Sequence, residues 1–130
     1  MTTPARTGAV LYVLDPERMA RFYENVLALE RRFADAHHVT LGSGDFELVV
    51  HAIPARIAGR IVLTSPPERR EGTPIKLFYT VASLSQAARA ITAGGGEVIE
   101  HGFEGDGFRV RDACDPEGNV FQLRERTGRG

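Results

Sequence analysis

A short apolar strand followed at once by a capped helix limits most strongly how this chain can fold. Residues 10–14 form a continuous apolar run, which is typical of a buried strand. Asp15, Pro16 and Glu17 then supply an N-cap, a proline at the first helical position and an early acid. The apolar residues that follow lie at the spacing of one helical face: Met19, Phe22, Tyr23, Val26 and Leu27. The pattern predicts a helix that packs on a sheet.

The rest of the first half has strand patterns. Three segments are predicted to be strands, residues 32–36, 39–41 and 46–53, the last two joined by turn residues at 42–45. Residues 54–74 are rich in proline, glycine and charge, which predicts a partly mobile linker.

The same order of elements returns after the linker. Residues 75–81 predict a strand, and Ser83 and Gln86 form a capping box before a second amphipathic helix. A run of three glycines at 94–96 ends that helix, because glycine adopts the left-handed conformation of a helix C-terminus at low cost. Three more strands are predicted at residues 97–100, 108–114 and 119–124.

The fold class predicted is α+β, with two paired βαβββ modules whose curved mixed sheets surround a cleft. The modules cover about residues 8–53 and 75–126 of one domain that spans residues 1–130. Such a module has a helix on one face of its sheet and nothing over the other, so two modules can line a cleft.

Composition excludes several classes of partner. The 16 Lys and Arg residues nearly balance the 17 Asp and Glu residues, so there is no positive field to attract nucleic acid. The early apolar run is too short for a secretion signal or a membrane span. The single cysteine, Cys114, is expected to be a buried small residue in a reducing compartment. We therefore expect a cytoplasmic protein with no nucleic-acid or membrane partner.

Two motifs in matching halves resemble one known superfamily. The first helix, with Phe22 and Tyr23, is similar to the first helix of the glyoxalase, bleomycin-resistance and extradiol dioxygenase group, the vicinal oxygen chelate superfamily. The sequence DPEGN at residues 115–119, followed by Phe121, Gln122 and Leu123, resembles the turn into that group's last strand. The resemblance covers about residues 8–126. It implies paired βαβββ modules, a small-molecule ligand in the cleft and a homodimer.

Metal-using members of that group hold a divalent ion with side chains from the first and last strands of each module. By resemblance these positions fall on Gly8, Glu47, Lys76 and Gln122. Glycine has no donor, an ammonium has no acceptor, and an amide is a weak metal ligand. We therefore predict no metal and no cofactor. A shifted site that uses His37, His38, His51 or His101 is the alternative.

The altered positions suggest an ion pair between Glu47 and Lys76, with Gln122 beside it; the alternative is that both charges simply face solvent. Alternation along the strands places further residues on the same face. The predicted ligand-binding residues are Tyr12, Glu47, Val49, His51, Lys76, Phe78, Thr80, Gln122 and Arg124. For each of them packing is the alternative role.

Three functions remain open. The first is a metal-free protein that sequesters a drug-like or metabolite ligand in the cleft. The second is a lyase, isomerase or dioxygenase that uses shifted metal ligands or acid-base chemistry at Glu47 or His51. The third is an interaction module without a small ligand. Fold alone does not choose among them.

Overall fold

A computed structural model of the chain describes residues 5–105 and 107–128, with the side chains of Glu100 and His101 outside that description. The chain divides into two compact units, Met1–Val62 and Leu63–Gly130. Their boundary falls inside the 54–74 segment that was expected to be a linker. None of the helices in the described ranges is long and apolar enough to cross a membrane.

The first unit contains one strand-helix-strand-strand-strand module. Its elements are β1 (Thr7–Val13), α1 (Pro16–Leu27), β2 (Glu30–Ala34), β3 (His38–Ser43) and β4 (Phe46–Ala52), followed by the short helix α2 (Ala55–Ala58). The strand order is β1-β4-β3-β2. β1 runs parallel to β4, and the other neighbours are antiparallel.

The second unit repeats this topology. Its elements are β5 (Phe78–Thr80), α3 (Leu84–Ala93), β6 (Glu97–Gly105), β7 (Phe108–Cys114) and β8 (Val120–Arg126). The strand order is β5-β8-β7-β6, with β5 parallel to β8 and the other neighbours antiparallel. The prediction of two βαβββ modules in an α+β fold is confirmed.

Both long helices begin where the sequence predicts. The Asp15 carboxylate accepts a hydrogen bond from the Arg18 N–H at 3.1 Å, and the Ser83 hydroxyl accepts one from the Gln86 N–H at 3.2 Å. After α3, Gly95 has a φ of 93°, the left-handed conformation expected of the glycine run.

The two helices bury very different side chains on their sheets. α1 contributes large ones: Met19, Phe22, Tyr23 and Val26 are at most 5% exposed. On α3 the buried residues are only Ala87 and Ile91. Because alanine fills little volume, the second helix closes its sheet less completely than the first.

One predicted strand is wrong in length. Residues 75–81 were expected to pair, but β5 covers only Phe78–Thr80. The parallel register sets Phe78 opposite Gln122, so residue 76 already reaches the first residue of β8 and residue 75 passes beyond it. The contact with β8 continues to Leu77, whose carbonyl accepts a hydrogen bond from the Gln122 N–H at 2.9 Å. In contrast, β6 runs to Gly105, five residues past its predicted end.

The turn between β7 and β8 is a buried polar structure. Asp115 is fully buried, and its carboxylate accepts hydrogen bonds from the N–H groups of Glu117 at 2.9 Å and Asn119 at 3.0 Å. The side-chain amide of Asn119 donates to it at 2.9 Å. Gly118, at a φ of 87°, accepts a hydrogen bond from the Arg70 N–H at 2.9 Å. Part of the predicted linker therefore packs on this turn.

Cys114 is fully buried at the end of β7, as the sequence predicts. Burial raises the pKa of its thiol, because a thiolate would lose solvation there. The Cys114 thiol is therefore expected to be unreactive and to contribute only to packing.

The buried turn supports a first prediction. Asp115→Ala removes a buried carboxylate that satisfies several donors, so we expect a loss of about 3 kcal/mol in the free energy of unfolding. Urea denaturation at pH 7 measures it. Asp35→Ala is the matched control, since Asp35 also accepts two backbone hydrogen bonds, from His37 and His38, but is exposed to solvent. The control should lose much less stability. Equal losses in the two variants would contradict the claim that burial makes the Asp115 hydrogen bonds more important for stability.

Candidate functional site

The face of the first sheet opposite α1 is partly open. On β4, Leu48 and Val50 are fully buried, whereas Glu47, Val49 and His51 alternate with them and are half-buried. On β1, Val10 and Tyr12 are each 54% exposed. The burial pattern agrees with the alternation predicted for these strands. Ligand binding by this face stays a prediction.

Glu47 lies between two glycines on the neighbouring strands. The register places Gly8 of β1 and Gly42 of β3 opposite it. On the Gly42 side, the guanidinium of Arg32 occupies the space that a side chain would fill and lies 3.5 Å from the Glu47 carboxylate. On the Gly8 side there is a small cavity of about 290 Å³, lined in part by Val10 and Val49. Glu47 is therefore fixed on one side and borders open space on the other.

A row of aromatic rings crosses all four strands of the first sheet. Tyr12 on β1 lies 5.4 Å from His51 on β4, measured between ring centroids. His51 stacks on His38 of β3 at 5.7 Å, and His38 stacks on Phe33 of β2 at 5.1 Å. Tyr12 and Phe33 are both about half exposed. The row is thus an exposed aromatic surface with two imidazoles at its centre.

The tautomer of His51 follows from its backbone contact. Its Nδ1 lies 2.8 Å from the carbonyl oxygen of Ala52. A carbonyl can only accept, so Nδ1 carries the hydrogen. In the neutral ring Nε2 is then an acceptor.

The open face of the second sheet carries a chain of polar contacts around an exposed ring. Lys76 Nζ donates to Asp112 Oδ2 at 2.7 Å, and Gln122 Nε2 donates to Asp112 Oδ1 at 3.4 Å. Gln122 Oε1 accepts from Arg124 Nε at 3.0 Å. The Arg124 guanidinium lies 3.7 Å from the ring centroid of Phe78. Four of the predicted residues are thereby brought together.

Thr80 is paired in register with Arg124 and is exposed. Phe78 is 54% exposed, although it is a large apolar side chain. Guanidinium and ring together form a flat surface that a planar molecule can cover.

Glu47 and Lys76 each have a charged partner in the structure that the sequence did not predict. Glu47 pairs with Arg32, and Lys76 pairs with Asp112, each within its own unit. The predicted pair between Glu47 and Lys76 stays a prediction. The missed residues are Arg32, Phe33 and Asp112, and His38 was considered only as an alternative metal ligand. For Asp112 the sequence did offer a signal, because a charged residue stands in the middle of a predicted strand. The contacts of the other missed residues depend on which residues of neighbouring strands lie opposite each other.

Comparison with protein families identifies the fold independently. A family model described as a glyoxalase-like domain matches residues 8–124. The chain belongs to this glyoxalase-like family. A search of curated proteins by sequence found no match.

Solved structures agree with this assignment at the level of the fold. A glyoxalase/bleomycin resistance protein/dioxygenase family enzyme from Burkholderia phytofirmans PsJN superposes with a TM-score of 0.69 at 19% identity, covering 92% of this chain and 96% of that one. A glyoxalase/bleomycin resistance protein from Albidiferax ferrireducens T118 gives 0.66 at 19% identity, covering 92% and 98%. A fosfomycin resistance protein from Listeria monocytogenes gives 0.66 at 16% identity, covering 98% and 96%.

The residues at the four positions that the family resemblance assigned to metal ligands do not fit a metal. Gly8 has no donor, and a Cβ there would lie 2.4 Å from the carbonyl oxygen of Glu47, so the backbone leaves no room for a side chain. Lys76 is a cation held by Asp112, and both polar ends of Gln122 are engaged. Only Glu47 retains a metal-ligand chemistry. Zinc, nickel and iron require more donors than this.

The shifted site considered above gains little support from the described histidines. His38 and His51 stack on each other, and His37 is exposed beside them. The His101 side chain lies outside the described residues. Among the residues that are described, no three histidine, cysteine, aspartate or glutamate side chains are grouped to hold an ion.

The close approach at Gly8 gives the second prediction. Gly8→Ala should lower the free energy of unfolding by about 1–3 kcal/mol, because β1 must move away from β4 to admit a methyl group. Gly59→Ala is the control, since Gly59 has a right-handed helical conformation with open space around it. Thermal and urea denaturation of both variants measure the difference. Equal stability would show that β1 can shift freely and that a larger residue is tolerated there.

Proposed function

We propose that this protein binds a small molecule without a metal ion, sequestering a drug-like or metabolite ligand in the cleft that the family resemblance implies. The arrangement of Arg124 and Phe78 carries the proposal. An exposed phenylalanine with a guanidinium 3.7 Å above it is an unfavourable surface to leave in water and a suitable one for a planar ligand.

The groups around this surface are held in place before a ligand arrives. Gln122 orients Arg124, and Asp112 in turn contacts both Gln122 and Lys76. Preorganised polar groups reduce the entropy lost on binding. They also select ligands whose own acceptors match the guanidinium and ammonium donors.

The first sheet supplies a second surface of similar character. The row from Tyr12 through His51 and His38 to Phe33 offers apolar area with polar edges. The similar structures from Burkholderia, Albidiferax and Listeria include bleomycin and fosfomycin resistance proteins, which makes drug-like ligands a reasonable first class to test. The homodimer that the resemblance implies stays a prediction.

The third prediction tests the binding surface. A panel of bleomycin, fosfomycin and planar aromatic acids is titrated by calorimetry, and at least one compound should bind. Phe78→Ala and Arg124→Gln should each weaken that binding about tenfold or more, because each removes a stacking or charge-assisted contact. Arg89→Gln on α3 is the control and should bind as the native protein does. A ligand that binds all four proteins equally would contradict the proposal.

An enzyme is the second candidate, and the tautomer of His51 favours it. With Nδ1 bonded to Ala52, the Nε2 of His51 has the form that a general base needs. The test measures turnover of a bound ligand by His51→Gln and Glu47→Gln. A fall of at least a hundredfold in either variant, with affinity for the ligand retained, would make acid-base catalysis the leading function. Unchanged turnover in both variants would remove it.

A further inference from the structure

The face of the second sheet that lies under α3 contains a cavity that the open-face site does not use. Its volume is about 760 Å³, within the range of small-molecule sites. The apolar part of its lining comes from both layers: Leu84, Ala88 and Ile91 on the helix, and Val98, Ala113 and Leu123 on the strands.

The sequence of α3 explains why this space is not filled. Counted from the N-caps Asp15 and Ser83, α3 has Ala87 and Ala90 where α1 has Met19 and Phe22. Phe103 of β6 does not fill it either: its register opposite Val110, which pairs with Arg124, places its side chain on the open face, where it is 62% exposed.

The charged groups in the lining are mostly neutralised by one another. Arg109 lies between Glu104 at 3.4 Å and Glu125 at 3.9 Å. Glu125 also accepts a hydrogen bond from the Leu84 N–H at 2.7 Å.

Arg111 is the exception among the described residues. Its side chain lies across Gly102, where a Cβ would come within 2.5 Å of Arg111 Cδ. Its Nε is buried, and within the described ranges it has no hydrogen-bond partner. A buried guanidinium nitrogen without a partner is costly, and an anionic oxygen would satisfy it.

We propose that the cavity under α3 is a second ligand site, distinct from the open face of the sheet, that binds an amphipathic organic anion. The apolar body of the ligand lies between α3 and the strands beneath it, against Ala88 and Ile91. Its carboxylate or sulfonate group meets Arg111. This site does not depend on the function proposed above, because it uses the opposite face of the sheet.

The fourth prediction uses 8-anilinonaphthalene-1-sulfonate, which joins an apolar aromatic body to one sulfonate. The dye should bind the native protein saturably, with an increase in fluorescence, and dodecanoate should displace it. Arg111→Gln should weaken binding roughly 10- to 100-fold, the effect of losing one charge-assisted hydrogen bond. Ala88→Phe should abolish it by filling the cavity. Arg89→Gln, an arginine on the same helix outside the lining, should have no effect.

Two controls keep the outcomes distinct. Phe78→Ala alters only the open face, so it should leave unchanged the part of the dye fluorescence that dodecanoate, which has no planar ring, displaces. If Ala88→Phe unfolds, as thermal denaturation would show, amide chemical shifts of the native protein decide the location: the largest changes should be at Ser85 and Ala88. Shifts centred on Phe78 and Thr80, equal affinity in Arg111→Gln, or no saturable binding would each overturn the proposal.

Discussion

Parallel pairing between the first and last strands of each module is the constraint on which the rest of the structure depends. β1 pairs with β4, and β5 pairs with β8, so the chain must cross from one end of the sheet to the other between them. α1 and α3 lie in those crossovers and cover one face of each sheet. The opposite face therefore has no cover from its own module, and the polar and aromatic residues of the candidate sites lie there.

Much of this architecture was predictable because its signals are local. The caps at Asp15 and Ser83 depend on residues three positions away, and the buried stripe of α1 depends on helical spacing. The turn at residues 115–118 follows from the conformational preferences of aspartate, proline and glycine. The alternation on β4 similarly follows from the pleat of a strand.

The site was only partly predictable because its contacts depend on register. Arg32 reaches Glu47 because Gly42 lies between them without a side chain, and this requires knowing which residues of β2, β3 and β4 are opposite each other. The stacking of His38 on His51 has the same origin. Pattern within one segment carries no information about any of these.

The two modules differ in how fully their helices cover the sheet. Large side chains on α1 close the first, whereas alanines on α3 leave a cavity under the second. The second sheet thus has a polar, preorganised open face and a partly hollow covered face. This asymmetry separates the two proposed sites physically, so that substitutions at Phe78 and at Ala88 act on different faces.

Metal content is the measurement that tests the central claim, small-molecule binding without a metal, most directly. The purified untagged protein is examined by elemental mass spectrometry, and its melting temperature is followed as nickel, zinc, manganese and ferrous ions are added. With glycine, lysine and glutamine at three of the four family positions, substoichiometric metal and no saturable rise are expected. Near-stoichiometric metal, or a saturable rise in melting temperature, would contradict the account and make a metalloenzyme the leading function.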